Sequence, residues 1–169
     1  MSTIDGLPAH VLLVHMIVVL VPLTAAALVA AALSPSAARR LGLVLPLLAL
    51  AVLIAVPVTT DAGEWLERHV DDNALVRRHT ELGDTLLPWV VGLFVMAAVV
   101  WWLGRRAQAE AGGAGGSARL ATPVRLVVAL LSLGVAVGAV ADVYRIGESG
   151  ARAAWHDSFS TSGPERGDD

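Results

Sequence analysis

Residues 9–33 read AHVLLVHMIVVLVPLTAAALVAAAL. The run holds no charged side chain and two histidines, His10 and His15, near one end. A helix that crosses a bilayer needs about 20 mainly apolar residues, so this stretch is long enough to span. A cleaved signal peptide is the rival reading. Its leader would be basic and its apolar core ~7–15 residues long. Here Asp5 precedes the run, no Lys or Arg does, and the run is longer. The stretch is therefore read as a retained span.

Three further stretches have the same character, 41–60, 85–104 and 124–146. None shows the period-2 alternation of a barrel strand, so all four are read as helices. The whole chain agrees: 56% of its 169 residues are hydrophobic, and its mean hydropathy is +0.67. The expected fold is all-α, a four-helix transmembrane bundle over 1–157. A Gly/Ala-rich linker at 107–122 and a disordered acidic tail at 158–169 complete it. Pro22, Pro46, Pro57 and Pro88 lie within or near the ends of spans, where proline kinks are tolerated by neighbouring helices.

Charge sets the threading. Arg39 and Arg40 lie between spans one and two with no acid. Arg105, Arg106, Arg119 and Arg125 lie between spans three and four against Glu110 alone. By the positive-inside rule both connections are cytoplasmic. Both termini and the acidic 61–84 segment then lie outside, in an inner-membrane, multi-pass protein. Trp89 at one end of span three, with Trp101 and Trp102 at the other, matches the aromatic belts. The segment TDAGEWLERHVDD, with Asp61 and Glu64 at capping-box spacing, is expected to form a short interfacial helix between helices two and three.

This threading places all five histidines, His10, His15, His69, His79 and His156, on the outer half. At 1.5 Å per residue from the inner edges, His15 stands ~27 Å up, Thr59 ~27 Å, Asp84 ~28 Å and Asp142 ~24 Å. His10 and His79 stand higher, at ~35 Å and ~36 Å. Two polar layers are expected. The deeper one holds His15, Thr59, Asp84, Asp142 and Arg145; the shallower one holds His10, His79 and Glu81. Leu75, His79, Leu82 and Leu86 share one helical face, which points His79 inward. Gly134, Gly138 and Asp142 are four apart, a small-residue seam ending in a carboxylate that faces a neighbouring helix. Polar groups at such depths are either functional or satisfied by the bundle itself.

Cysteine is absent, which excludes disulfides, thiolate metal sites, iron–sulfur clusters and covalent haem attachment. No basic run interleaves with aromatics, so nothing points to nucleic acid. No HExxH, phosphate-cradling glycine loop or nucleophile–base pattern is present, so no catalytic residue is assigned.

Three segments resemble the bacterial membrane family called domain of unknown function 2231. They are His10 with His15 at the start of span one, RHTELGD with His79 before span three, and VYRIGESGARAAW after span four. The resemblance implies a four-helix membrane protein. Relatives fused to Rieske-type domains imply a link to electron transfer. The family pattern has Pro after the first His and Phe-Pro after the second; here Val11 and Met16-Ile17 stand there. A His after the final Tyr-x is replaced by Ile146.

Two functions remain open on these residues. One is a non-catalytic subunit or assembly partner of a membrane complex, whose polar layer only sets helix register. The other is a redox membrane subunit that binds b-type haem or a divalent metal through His10, His15 and His79. A metal would be held by His79 and His10 with Glu81 or His156. The partners implied are membrane lipid and another membrane or electron-transfer protein.

Overall fold

The computed structural model describes residues 3–4, 7–69, 74–111 and 122–155. Most of the 107–122 linker, the 158–169 tail and His156 lie outside the described residues. Among the described residues the structure is helical apart from one two-residue antiparallel pair, β1 (Thr3–Ile4) with β2 (Leu7–Pro8), and the turns between elements. The helices are α1 (Ala9–Leu33), α2 (Pro35–Leu41), α3 (Val44–Glu67), α4 (Ala74–Asp84), α5 (Leu86–Ala111) and α6 (Thr122–Trp155). Among the described residues, four helical rods are long and apolar enough to cross a membrane: Ala9–Leu33, Val44–Glu67, Ala74–Ala109 and Pro123–Trp155.

The rods differ from the sequence reading at their ends. Residues 61–67 continue α3 without a break instead of forming a helix of their own. Nothing in TDAGEWLE ends a helix, and the hydroxyls of Thr59 and Thr60 bond back to the carbonyls of Ala55 and Val56 within the same rod. Helices α4 and α5 form one rod interrupted only at Thr85. Residues 107–111 of the expected linker extend α5. The connection after span one contains α2, whose start was written in the sequence. Ser34 caps it by accepting from the Ala37 N–H, and Pro35 takes the first helical position. Gly42 ends it at φ 49°, a left-handed conformation that suits glycine. Pro46 and Pro88 fall in first turns, where a missing N–H costs little. Pro22 and Pro57 lie within α1 and α3.

Around the bundle, α1 packs on α3 and α6, and α5 packs on the same two helices; α2 lies across one end against α1 and α5. Each long helix buries residues four then three apart. In α1 these are Ile17, Val21, Thr24, Leu28 and Ala31, and in α3 Leu45, Ala49, Val52, Val56 and Thr59. In α5 they are Leu86, Val90, Leu93, Ala97 and Val100, and in α6 Ser132, Ala136, Ala139 and Val143. A strict 4-3 spacing is the seam of a left-handed bundle with helices crossing at about 20°. The opposite faces expose Val18, Val19, Leu23, Ile54, Val127 and Leu130, an apolar surface fit for lipid.

Small residues let these rods approach. A Cβ added at Gly138 of α6 would come within 2.1–2.5 Å of the Trp89 indole of α5. Gly134, one turn earlier, has nothing within 4 Å of the same added atom. The Gly134-xxx-Gly138 pair is thus a seat for one indole at Gly138 and an open position at Gly134. Gly138→Ala is expected to lower thermal stability in detergent by about 1–3 kcal/mol through overpacking. Gly134→Ala should be neutral or stabilising, since alanine is the better helix former by about 1 kcal/mol. Equal losses in the two variants would refute this packing.

Candidate functional site

The heptad seams do not stop at the apolar core. Stepping back seven from Ile17 reaches His10, and seven back from Leu86 reaches His79. Stepping forward seven from Val56 reaches Gly63, and from Val143 it reaches Gly150. These four positions form the end layer of the bundle, with two imidazoles and two glycines alternating large and small. A Cβ on Gly63 would lie 2.9 Å from the His10 ring, and one on Gly150 would lie 2.9 Å from the His79 ring. Each imidazole therefore rests against the bare backbone of a neighbouring helix.

Hydrogen bonds fix both rings. His10 Nδ1 lies 3.0 Å from the Thr59 carbonyl of α3. A carbonyl only accepts, so His10 carries its proton on Nδ1. His79 Nδ1 lies 3.0 Å from Ser149 Oγ of α6, and that hydroxyl donates to the Ile146 carbonyl at 2.8 Å. The single hydroxyl proton is thus used, and His79 Nδ1–H donates to Ser149. The two ring centroids stand 6.1 Å apart with planes at 80°, an edge-on pair. In a neutral imidazole with Nδ1 protonated, Nε2 keeps its lone pair. His10 Nε2 has no hydrogen-bond partner among the described residues, whereas the His79 ring also meets the Ile146 carbonyl. This is the arrangement in which a histidine is oriented for ligation, with its far nitrogen held by an acceptor.

About two turns deeper lies a further tie. Thr85, at the break between α4 and α5, donates to the Asp142 carboxylate of α6, with oxygens at 2.9 and 3.1 Å. Asp142 is buried, at 7% exposure, so this donor matters.

The other candidate residues lie elsewhere. His15 is on the exposed face of α1, where its Nδ1 bonds the Val11 carbonyl of its own helix. It stands five residues from His10, hence about 140° around the helix. Asp84, Glu81 and Arg145 are exposed and join neither tie. His69 stacks on Trp65 at 4.0 Å and bonds the Trp65 carbonyl. Among the described residues, no three His, Asp or Glu side chains gather as a metal site. The sequence reading did not single out Gly63, Ser149, Gly150 or Thr85. The glycines are on the heptad repeat and could have been found by extending it. Ser149 is next to one of them.

Comparison with known families matches residues 6–163 to the family described as Predicted membrane protein (DUF2231). No curated protein and no solved structure matches the chain significantly. The match spans nearly the whole length, from before His10 to beyond the last described helix, so the chain belongs to this family of membrane proteins.

Proposed function

We propose that the protein is a non-catalytic integral membrane subunit, a rigid four-helix scaffold for a membrane complex, with both termini outside the inner membrane. One observation carries the scaffold reading. The inward polar side chains at the histidine end are spent on ties between helices: His10 joins α1 to α3, His79 joins α4 to α6, and Thr85 joins the α4–α5 break to α6. Interhelical hydrogen bonds in membranes contribute on average about 0.6 kcal/mol each, up to about 1.7. Their larger effect is to fix register, because a slipped helix strands a polar group in hydrocarbon. The sidedness rests on the arginines of the two short connections.

A second reading, a redox subunit carrying a metal or haem, rests on the two oriented imidazoles, whose centroids stand 6.1 Å apart. Zinc or copper needs imidazole lone pairs at about 2.0–2.1 Å, and the oriented pair offers two. Backbone at Gly63 and Gly150 fills the space behind both rings, which suits a compact ion better than a macrocycle. Further ligands would come from His156, from water or from a partner.

Side-chain geometry separates the two readings. An asparagine amide nitrogen falls at about the Nδ1 position of histidine, while nothing replaces Nε2. As a scaffold, the purified protein is colourless and free of bound metal. His79→Asn then stays close to wild type in melting temperature, while His79→Ala loses several degrees. Near-stoichiometric metal, or a Soret band, that disappears equally in both variants would establish the redox reading instead. Thr85→Val removes the donor to buried Asp142 and is expected to cost about 1–3 kcal/mol, read as a lower melting temperature in detergent. No loss would show that the tie is not formed.

Threading is open to direct test because the chain has no cysteine. Asp72→Cys should react with a membrane-impermeant maleimide in intact cells, and Ser36→Cys should react only after lysis. The reverse pattern would invert the proposed orientation.

A further inference from the structure

The arginine end of the bundle is built differently from the histidine end. A cavity of about 490 Å³ opens there between the end of α1, α2, α5 and the start of α6. Arg39 of α2 and Arg125 of α6 both line it, and its walls include Ala31, Val100, Leu103 and Val128. A second hollow of about 300 Å³ shares Arg39 and Gly104 with it. Apart from these two arginines the lining is made of small and aliphatic residues, so two positive charges stand beside an apolar wall.

Few acids lie near these charges in the sequence. The sequence has no Asp or Glu between Asp5 and Asp61, and only Glu110 between Asp84 and Asp142. Among the described residues, neither Arg39 nor Arg125 joins an ion pair. Two other arginines of this end are engaged by aromatic rings. The Arg106 guanidinium lies 3.9 Å over Trp102, and that of Arg105 lies 5.5 Å over Trp101. Tryptophans at this position mark the headgroup level of a bilayer. Leu103, Gly104 and Ala107, one turn on, reach the cavity. The hollow therefore sits where lipid phosphates lie, with its apolar wall toward the acyl region.

We propose that this cavity binds the headgroup phosphate of an anionic phospholipid, with Arg39 and Arg125 as the phosphate ligands and the aliphatic wall against the upper acyl chain. Guanidinium donors match phosphate oxygens in a two-point fork. Basic hollows between membrane helices are a known way to hold acidic lipid headgroups. The proposal depends on neither the scaffold reading nor the sidedness, since it uses only the arginine end.

The test uses the full chain in a neutral maltoside detergent, titrated with phosphatidylglycerol or phosphatidylcholine and read by native mass spectrometry. Phosphatidylglycerol should bind preferentially. Arg39→Gln with Arg125→Gln should weaken it about 10- to 30-fold, given about a tenfold loss or less for each charge. Arg68→Gln with Arg78→Gln, the same charge change at the other end, should leave it unchanged. If the first double variant does not fold, Gly104→Leu serves in its place. An added Cβ there meets nothing within 4 Å and Gly104 lines the cavity, so a leucine side chain is expected to occupy the hollow and weaken binding. Equal retention of the two lipids would overturn the proposal, as would unaltered binding in the cavity variants. Protection from thermal unfolding by inorganic phosphate alone, matching that by phosphatidylglycerol, would assign the site to a soluble anion and overturn it too.

Discussion

An imidazole near hydrocarbon must find its hydrogen-bond partner inside the protein, because lipid offers none. The rest of the histidine end follows from that constraint. His10 and His79 occupy heptad positions of seams that are aliphatic but for Thr24, so both rings point at neighbouring helices. A ring is bulkier than the Val or Ala residues along the facing seams. The facing positions are glycines, Gly63 and Gly150, and a single methyl on either would press on the ring. Close approach in turn brings Nδ1 of each ring within reach of Thr59 and Ser149. Packing and polar satisfaction are thus one arrangement. The glycine admits the ring, and the ring ties the helices whose proximity the glycine allows.

The same economy appears at Gly138, where the absence of a side chain seats Trp89, and at Thr85. The helical rod breaks at Thr85, and its hydroxyl goes to Asp142. A carboxylate buried at 7% exposure would be costly without a donor. Thr85 Oγ also lies 2.6 Å from the Leu82 carbonyl, so the local break and the Asp142 carboxylate share its one hydroxyl proton. A discontinuity in the chain and a polar contact between helices thus share one side chain.

Much of this was legible in the sequence, and the exceptions have a common cause. The four spans follow from hydropathy and length, which are local properties; α1 begins and ends at 9 and 33 as read. The inward face of α4 around His79 follows from its Leu75–Leu82 spacing. The deeper polar layer did not assemble because it was built on height alone. His15, Asp84 and Asp142 stand at similar depths, but depth says nothing about direction around a helix. His15 lies about 140° from His10, and Asp84 about 100° from Thr85, at 100° per residue. Partners such as the Thr59 carbonyl carry no side-chain signature at all. The heptad repeat does carry direction, and extended past the apolar core it reaches His10, Gly63, His79 and Gly150 together.

The two ends of the bundle obey one rule with different supplies of partner. Polar groups at the histidine end include a buried carboxylate and two half-buried rings, and they are satisfied by helix-to-helix bonds. The arginines at the other end are long, exposed and unopposed by acid among the described residues. They need no internal partner, because water and lipid phosphates are within their reach. That difference explains why one end closes onto itself with glycines while the other stays open around Arg39 and Arg125. A helix pair held by hydrogen bonds needs close contact, whereas a cation that takes its counter-charge from outside needs room for it.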